Sequence, residues 1–272
     1  MIISVSRRTD IPAYFSDWFG EMLNKKSVLV KNPFNSKQVT NISLVPEDVT
    51  AFVFWTRNSD PFLPVLEKIF KHSYPFYFLF TITPYNKPLE QNSLSSEVQT
   101  TIFKRLARLI GREKIVWRYD PIILSNKTDF NYHLNHFKDL ADKLHQYTNE
   151  VKVSFLDYYK KTDRNLKPLR DNHWIFKKNP PQKPGFDIFL NKLITIAHER
   201  ELKISSCADL IIPGHIIQAE GCININKINT LSNLNIQYKK DKNQRPACLC
   251  HQSKDIGSYN TCRHGCLYCY AC

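Results

Sequence analysis

The chain has 272 residues, of which 42% are hydrophobic and 23% charged, and its formal net charge is +13. That length buries one sizeable core or two modest ones, and no uncharged apolar run is long enough to make a membrane span the organising element. The basic excess suits a polyanionic partner, yet the lysines fall in scattered pairs, Lys25-Lys26, Lys160-Lys161, Lys177-Lys178 and Lys239-Lys240, which reads as a solvated basic surface and keeps nucleic acid only as one possible substrate.

In chain order, apolar runs of strand length alternate with helical periodicity. Residues 2–6 read as a strand, with no basic leader or cleavage site, so a cytoplasmic location without membrane attachment is expected. Helix 12–24, strand 51–56, helix 62–71, strand 77–83 and helix 97–110 follow, then strand 115–119, helix 132–147, strand 151–156, helix 186–200 and strand 202–206. Strands rich in Val, Ile and Phe that recur with helices between them mark a parallel sheet covered on both faces. The expected fold over residues 1–206 is therefore α/β, a partial TIM-type (β/α)6 barrel.

Two further segments interrupt the alternation. A hairpin is expected at 28–31 and 39–42, turned by Asn32-Pro33-Phe34-Asn35, capping one edge of the barrel. Residues 160–185, with Pro168, Pro180, Pro181 and Pro184, read as a long irregular loop able to serve as a lid. After Ser206 the alternation stops. Residues 207–272 hold all eight cysteines, and without a flexible linker this stretch is expected to be a metal-binding extension wrapped over the barrel mouth.

Eight cysteines in a chain without a signal peptide belong to metal or redox chemistry. Cys262, Cys266 and Cys269, spaced C-x3-C-x2-C, can hold three corners of a 4Fe-4S cluster and leave the fourth iron free to bind a small molecule. A zinc ion is the alternative, although zinc loops more often pair C-x2-C knuckles and use four protein ligands. Cys207, Cys222, Cys248 and Cys250 form a second set, expected to hold another Fe-S cluster or a zinc ion, with buried inert thiols as the alternative. Cys272 is expected near the first cluster but not on it, since a fourth thiolate would close the open iron.

The C-x3-C-x2-C loop, with Tyr268 just before its third cysteine, resembles the signature of the radical S-adenosylmethionine enzymes. It is most similar to the spore photoproduct lyase branch, whose cluster loop also ends cysteine, aromatic, cysteine, tyrosine. Enzymes of that superfamily normally carry the loop after the first strand of the barrel, whereas here it closes the sequence. The wider pattern is Ser6-Arg7-Arg8-Thr9-Asp10, Phe54-Trp55-Thr56-Arg57-Asn58, Trp117-Arg118-Tyr119-Asp120-Pro121 and Asp255-Ile256-Gly257 leading through Tyr259-Asn260 to Cys262. It resembles the bacterial family of unknown function DUF1848 over essentially the whole chain. The resemblance implies that the open iron chelates the amino and carboxylate groups of S-adenosylmethionine. An electron, delivered by a reductant such as flavodoxin or ferredoxin, then cleaves it to a 5'-deoxyadenosyl radical that acts on an unspecified substrate.

In β/α barrels function gathers at the C-terminal strand ends. Arg118 closes the fourth apolar run, and a guanidinium buried there costs several kcal/mol unless an anion pairs with it; that anion is Asp120, Asp157, or the carboxylate of S-adenosylmethionine. Arg7, Arg8 and Arg57 can hold the same carboxylate or a phosphate-bearing substrate. Where the radical enzymes place a Gly-Gly-Glu segment for the amino group, this chain has Thr56-Arg57-Asn58, with Thr56 or Asn58 as stand-ins. Tyr85, Tyr119 and Tyr158 can relay a hydrogen atom or stack on adenine, or simply pack. The candidates are thus Arg118, Tyr119 and Asp120 for catalysis, and Arg7, Arg8, Thr56, Asn58, Arg118 and Tyr268 for the cofactor. Asp10 can equally be the cap of the first helix. The alternative for the whole chain is a non-catalytic nucleic-acid-binding protein stabilised by zinc or an Fe-S cluster.

Overall fold

A computed structural model describes residues 1–207 and 217–272, the Ser36 side chain excepted. The elements begin with β1 (Ile2–Val5), α1 (Ile11–Tyr14), α2 (Ser16–Lys25), β2 (Ser27–Asn32), β3 (Asn35–Ser43) and β4 (Ala51–Thr56). They continue with α3 (Leu63–Lys71), β5 (Phe76–Thr81), α4 (Ser96–Ile110), β6 (Ile115–Ile122), α5 (Phe130–Leu144) and β7 (Glu150–Phe155). The chain closes with α6 (Lys160–Asn165), α7 (Lys167–Asp171), α8 (Phe186–His198), β8 (Lys203–Ser206), α9 (Ile225–Ser232) and β9 (Lys254–Asp255).

Seven strands pair in the order β8-β7-β6-β5-β4-β1-β9, every neighbouring pair parallel. The fold is α/β, with the six strands expected from the apolar runs set side by side in chain order. A closed barrel does not form: β8 and β9 remain the two edges of an open sheet. Three local expectations change as well. The first helix is split at Phe15, whose φ of −137° leaves the helical region. The hairpin makes its own two-stranded antiparallel sheet, because Val28 and Ile42 bury against the helix side of the main sheet rather than pair with an edge. The stretch 160–185 is partly ordered as α6, α7 and a 3-10 turn at Pro180–Gln182.

Alternate residues along a strand face opposite sides, and the two sides differ. One carries Phe52, Phe54, Phe78, Phe80, Trp117, Val151 and Val153, packed against Phe19 of α2, Leu66 of α3, Phe103 of α4, Phe137 of α5 and Phe189 of α8. Phe54 stacks on Phe78 at 4.7 Å and Trp117 on Phe137 at 5.0 Å between ring centroids. Each such side chain, once fully buried, contributes roughly 1.5–3 kcal/mol. The other side carries Ala51, Val53, Trp55, Tyr77, Leu79 and Val116, covered by Cys222, Ile223, Ile225, Ile228, Cys248 and Cys250. So much of the extension from Cys222 to Cys250 covers the second face of the sheet, while Asp241 and Arg245 reach Arg7 and Asp157 past the C-terminal ends of β1 and β7. The extension's residues 208–216 lie outside the described residues.

β9 is short and lacks apolar side chains, yet it is firmly attached. Asp255 accepts hydrogen bonds from Ser4 Oγ at 2.6 Å, Ser6 Oγ at 2.7 Å and the Arg7 amide at 2.8 Å. Ile256 N–H donates to Ser4 O at 3.1 Å. Gly257 then passes so close to β1 that a Cβ there would sit 2.0 Å from Ser6 Oγ. Among the described residues no helix is long and apolar enough to cross a membrane.

Candidate functional site

The polypeptide leaves β9 at the C-terminal end of the sheet, and residues 262–272 follow directly, lying against the segments that succeed β1, β4 and β5. Cys266 bridges Glu90, Leu267 N–H donates to Leu89 O at 2.9 Å, and Asn92 N–H donates to His264 O at 3.0 Å. Gly265 turns the loop at φ +66°, where an L side chain is strained and a Cβ would also press on Asn92 at 3.0 Å. From the far side, α6 contributes Thr162 Oγ1 to Tyr268 O and Asn165 Nδ2 to Cys272 O, each at 3.3 Å.

Two buried polar networks hold this loop. In the first, the Asp10 carboxylate caps α1 through Ala13 N–H at 3.0 Å, receives Arg57 N–H at 2.8 Å, and receives His264 Nε2 at 2.8 Å. His264 Nδ1 then meets the Tyr14 hydroxyl at 2.9 Å, while Nε2–H donates to the carboxylate. In the second, Arg57 donates from NH1 to Glu90 at 2.9 Å and Thr83 Oγ1 at 3.2 Å, and from NH2 to the Tyr268 hydroxyl at 2.6 Å. Tyr268 and Thr83 both donate onward to Glu90. Burial acts most strongly, against the Arg57 charge, but Glu90, Tyr268, Cys266 and Asp10 together outweigh it and hold the guanidinium above its ordinary range. A fully paired ion of this kind fixes geometry, and removing either partner is costly.

The thiols of the loop are unlike one another. The Cys272 thiol donates to Cys262 O at 3.5 Å; its proximity lowers the Cys262 and Cys269 thiols, while Cys272 itself is pushed up. Cys266 is pushed up to about 12 by burial. Ser93 Oγ lies 3.9 Å from its sulfur. The second set lies elsewhere: Cys207 and Cys222 sulfurs are 2.9 Å apart, and Cys222, Cys248 and Cys250 share one buried cluster with Cys207 packed against it. All eight cysteines are free thiols. Among the described residues no three His, Cys, Asp or Glu side chains stand ready-made in metal-binding geometry; the thiols are gathered in two groups rather than fixed in a cage.

The other candidate residues are drawn to several places. Arg118 pairs with Asp120 and reaches Thr81 Oγ1 at 3.4 Å, and Asp120 is also bonded by Ser154; both lie on the face that Cys207 and Lys152 share. Asp157 pairs with Arg245 instead. Tyr119 points to the opposite, helix-covered face, fully buried, its hydroxyl 2.9 Å from His133 Nδ1. Arg7 and Arg8 face carboxylates of the extension, Arg7 with Asp241 and Asp255 and Arg8 with Asp255. Thr56 and Asn58 stabilise their own turn: Thr56 Oγ1 accepts from Asn58 N–H at 2.9 Å and Asn58 Oδ1 from Asp60 N–H at 3.1 Å. Tyr85 and Tyr158 also lie near the loop's base, Tyr85 against the Tyr268 ring at 5.9 Å.

Glu90, His264 and Asp255 were not legible as site residues. Glu90 is the lone acid in an irregular stretch, and its importance comes only from meeting Arg57 in space. Beside the loop, Lys160, Lys161, Arg164, Asn165, Asn260 and Cys272 line an open cleft of about 760 Å3. Compared with known proteins, the chain matches a family model described as "Domain of unknown function (DUF1848)" over residues 2–271. No curated protein and no solved structure matches it.

Proposed function

The chain belongs to the DUF1848 family, and from the position of its cysteine loop we propose that it is a radical S-adenosylmethionine-like iron-sulfur enzyme on a partial β/α barrel. One observation carries this reading. The loop leaves the C-terminal end of β9, and β9 lies beside β1 in parallel register. Counted along the sheet from that edge, β9 is the first strand and β1 the second, so the loop that ends the sequence follows the first strand in space. That is where the superfamily it resembles carries its cluster motif. The unusual sequence position is then a change in chain connectivity with the site left in place.

The residues suit the group. Cys262, Cys266 and Cys269 would hold a 4Fe-4S cluster; the turn at Gly265 and the Cys269 N–H to Cys266 O bond of 3.0 Å fold the short loop that carries them. Bound there with one iron open, the cluster would supply a binding point for S-adenosylmethionine and the electron that cleaves it. The chain's own groups do the rest. Asp10, through His264, and Glu90 with Arg57, through Tyr268, fix the loop's orientation from below. Lys160, Lys161 and Arg164 give the adjoining cleft a cationic wall suited to an anionic moiety of a ligand. α6 shields the loop on its outer side through Thr162 and Asn165.

Anaerobic reconstitution of the full chain with iron and sulfide tests the proposal. Expected are a brown protein with iron and sulfide in equal amounts, and 5'-deoxyadenosine released from S-adenosylmethionine under dithionite. Cys266→Ala is expected to abolish cleavage while the fold persists, and Cys272→Ala to keep it. A colourless protein that holds zinc at this loop, or a brown one that leaves S-adenosylmethionine intact, would overturn the reading.

A further inference from the structure

Four thiols far from one another in sequence converge on the second face of the sheet. Cys207 leaves the end of β8, Cys222 precedes α9, and Cys248 and Cys250 come from the segment before β9. Cys207 and Cys222 sulfurs are 2.9 Å apart, and Ile223 N–H points at Cys250 Sγ at 3.4 Å. Cys222, Cys248 and Cys250 are buried, packed with Val53, Trp55, Tyr77 and Val116.

We propose that Cys207, Cys222, Cys248 and Cys250 form a tetrathiolate site for one zinc ion, which fastens the extension to the sheet. The inference does not depend on the reaction proposed above. Size is the first argument. Zinc-sulfur bonds of ~2.3 Å in a tetrahedron place the sulfurs roughly 3.8 Å apart, so a single ion needs thiols gathered close together; Cys207 and Cys222 already touch, and Cys248 and Cys250 pack in the same cluster. Binding would open the Cys207–Cys222 contact by about 1 Å, a side-chain adjustment at the end of a strand. A 4Fe-4S cubane holds its thiolates splayed around a body of four irons, wider than the Cys207–Cys222 pair stands.

Charge is the second argument. A zinc ion with four thiolates carries a net charge of −2, which in an apolar setting needs nearby cations. Arg118 acts on Cys207 and Cys222, Lys152 on Cys207, and Arg7 on Cys248 and Cys250. The Arg118 Nε–H also has no hydrogen-bond partner among the described residues, and Lys152, 2% exposed, has a single carboxylate, Glu220, beside it. A disulfide between Cys207 and Cys222 would account for two of these sulfurs but for neither Cys248 nor Cys250.

The probe is cobalt(II), added to full-length protein purified without oxygen and stripped of metal, in the wild type and in a variant with Cys262, Cys266 and Cys269 all changed to Ala. The loop variant is expected to bind one cobalt per chain with the intense visible bands of tetrahedral thiolate ligation, and zinc to displace it. Cys207→Ser, at the half-buried end of the set, is expected to weaken cobalt more than the roughly tenfold that loss of an outer-sphere partner costs, with circular dichroism reporting that the chain remains folded. Cys222→Ser with Cys250→Ser should abolish the bands. The proposal is overturned if the loop variant binds no cobalt, if Cys207→Ser leaves the affinity unchanged, if iron and sulfide fill the site in place of zinc, or if mass spectrometry finds Cys207 and Cys222 joined. Failure of S-adenosylmethionine cleavage alone would leave each of these readouts intact.

Discussion

Asp10 and His264 stand 254 positions apart in the chain and 2.8 Å apart in space, joined carboxylate to imidazole beneath the cysteine loop. The same carboxylate satisfies Ala13 N–H and Arg57 N–H, so it ties the first strand's end, the β4 turn and the loop to one point. Asp10→Ala leaves three donors short and is expected to lower stability by roughly 2–4 kcal/mol, combining a lost helix cap with buried unpaired amides. His264→Ala removes one donor from Asp10, leaving it two, together with the Tyr14 hydroxyl's partner, and should cost about 1–2 kcal/mol. Guanidinium denaturation of both variants measures the difference, and equal costs would show that Asp10 is not the shared anchor.

Glu90 and Arg57 make the second anchor, and Tyr268 links it to the loop. Glu90→Gln leaves the guanidinium as a buried charge without its counter-ion, which is expected to cost about 3–5 kcal/mol. Tyr268→Phe keeps the ring against Tyr85 and removes only the hydroxyl, for about 1–3 kcal/mol. Because the two changes disturb one network, the double variant should be less destabilised than the two costs added. Strict additivity in urea melts would mean that the hydroxyl and the carboxylate act separately.

Gly257 tests the attachment of β9. A methyl group there would lie 2.0 Å from Ser6 Oγ and 2.5 Å from Ser6 Cβ, so even Ser6→Ala leaves a clash. Gly257→Ala is expected to push β9 off β1 at a cost of about 1–3 kcal/mol, read as roughly five- to 150-fold faster exchange of the Ile256 amide. Iron and sulfide loading at the loop should fall in parallel. Unchanged protection of Ile256 would show that β9 does not position the loop.

How much of this was legible in the sequence depends on how local the physics is. Residues 51–56 and 77–83 read as buried strands, close to β4 and β5 as they stand, because both faces of a covered parallel sheet demand apolar side chains. That Cys262, Cys266 and Cys269 share one short loop was legible because their spacing is itself a local fact. β9 was not, since two residues carry no periodicity and its attachment rests on Asp255 reaching Ser4, Ser6 and Arg7. Arg118 was singled out for its burial, and Asp120 is indeed beside it. Whether a barrel closes is not written in any one unit, and the open edges at β8 and β9 follow from pairings across the chain. Tyr119 looked like a strand-end group, but one step of strand alternation from Arg118 puts it in the helix-side core.

That same step makes His133 a pH-sensitive point in the core. In the neutral ring its Nδ1 accepts from Tyr119 and its Nε2 donates to Ile123 O at 3.0 Å. Burial, with a smaller opposing pull from the Ile123 carbonyl, lowers its pKa from 6.5 to about 4. Between these values the unfolded chain takes up a proton that the folded chain refuses, so stability is full above about pH 6.5 and falls as pH drops toward 4. The loss amounts to about 3 kcal/mol from this residue. His136 and Asp129 act on the ring in opposite directions, and neither restores the neutral-ring hydrogen bonds once it is protonated. His133→Gln keeps a donor and an acceptor but cannot titrate. Its denaturation free energy should therefore vary less than the wild type's from pH 6.5 to 4, and identical slopes for the two proteins would place the titrating group elsewhere.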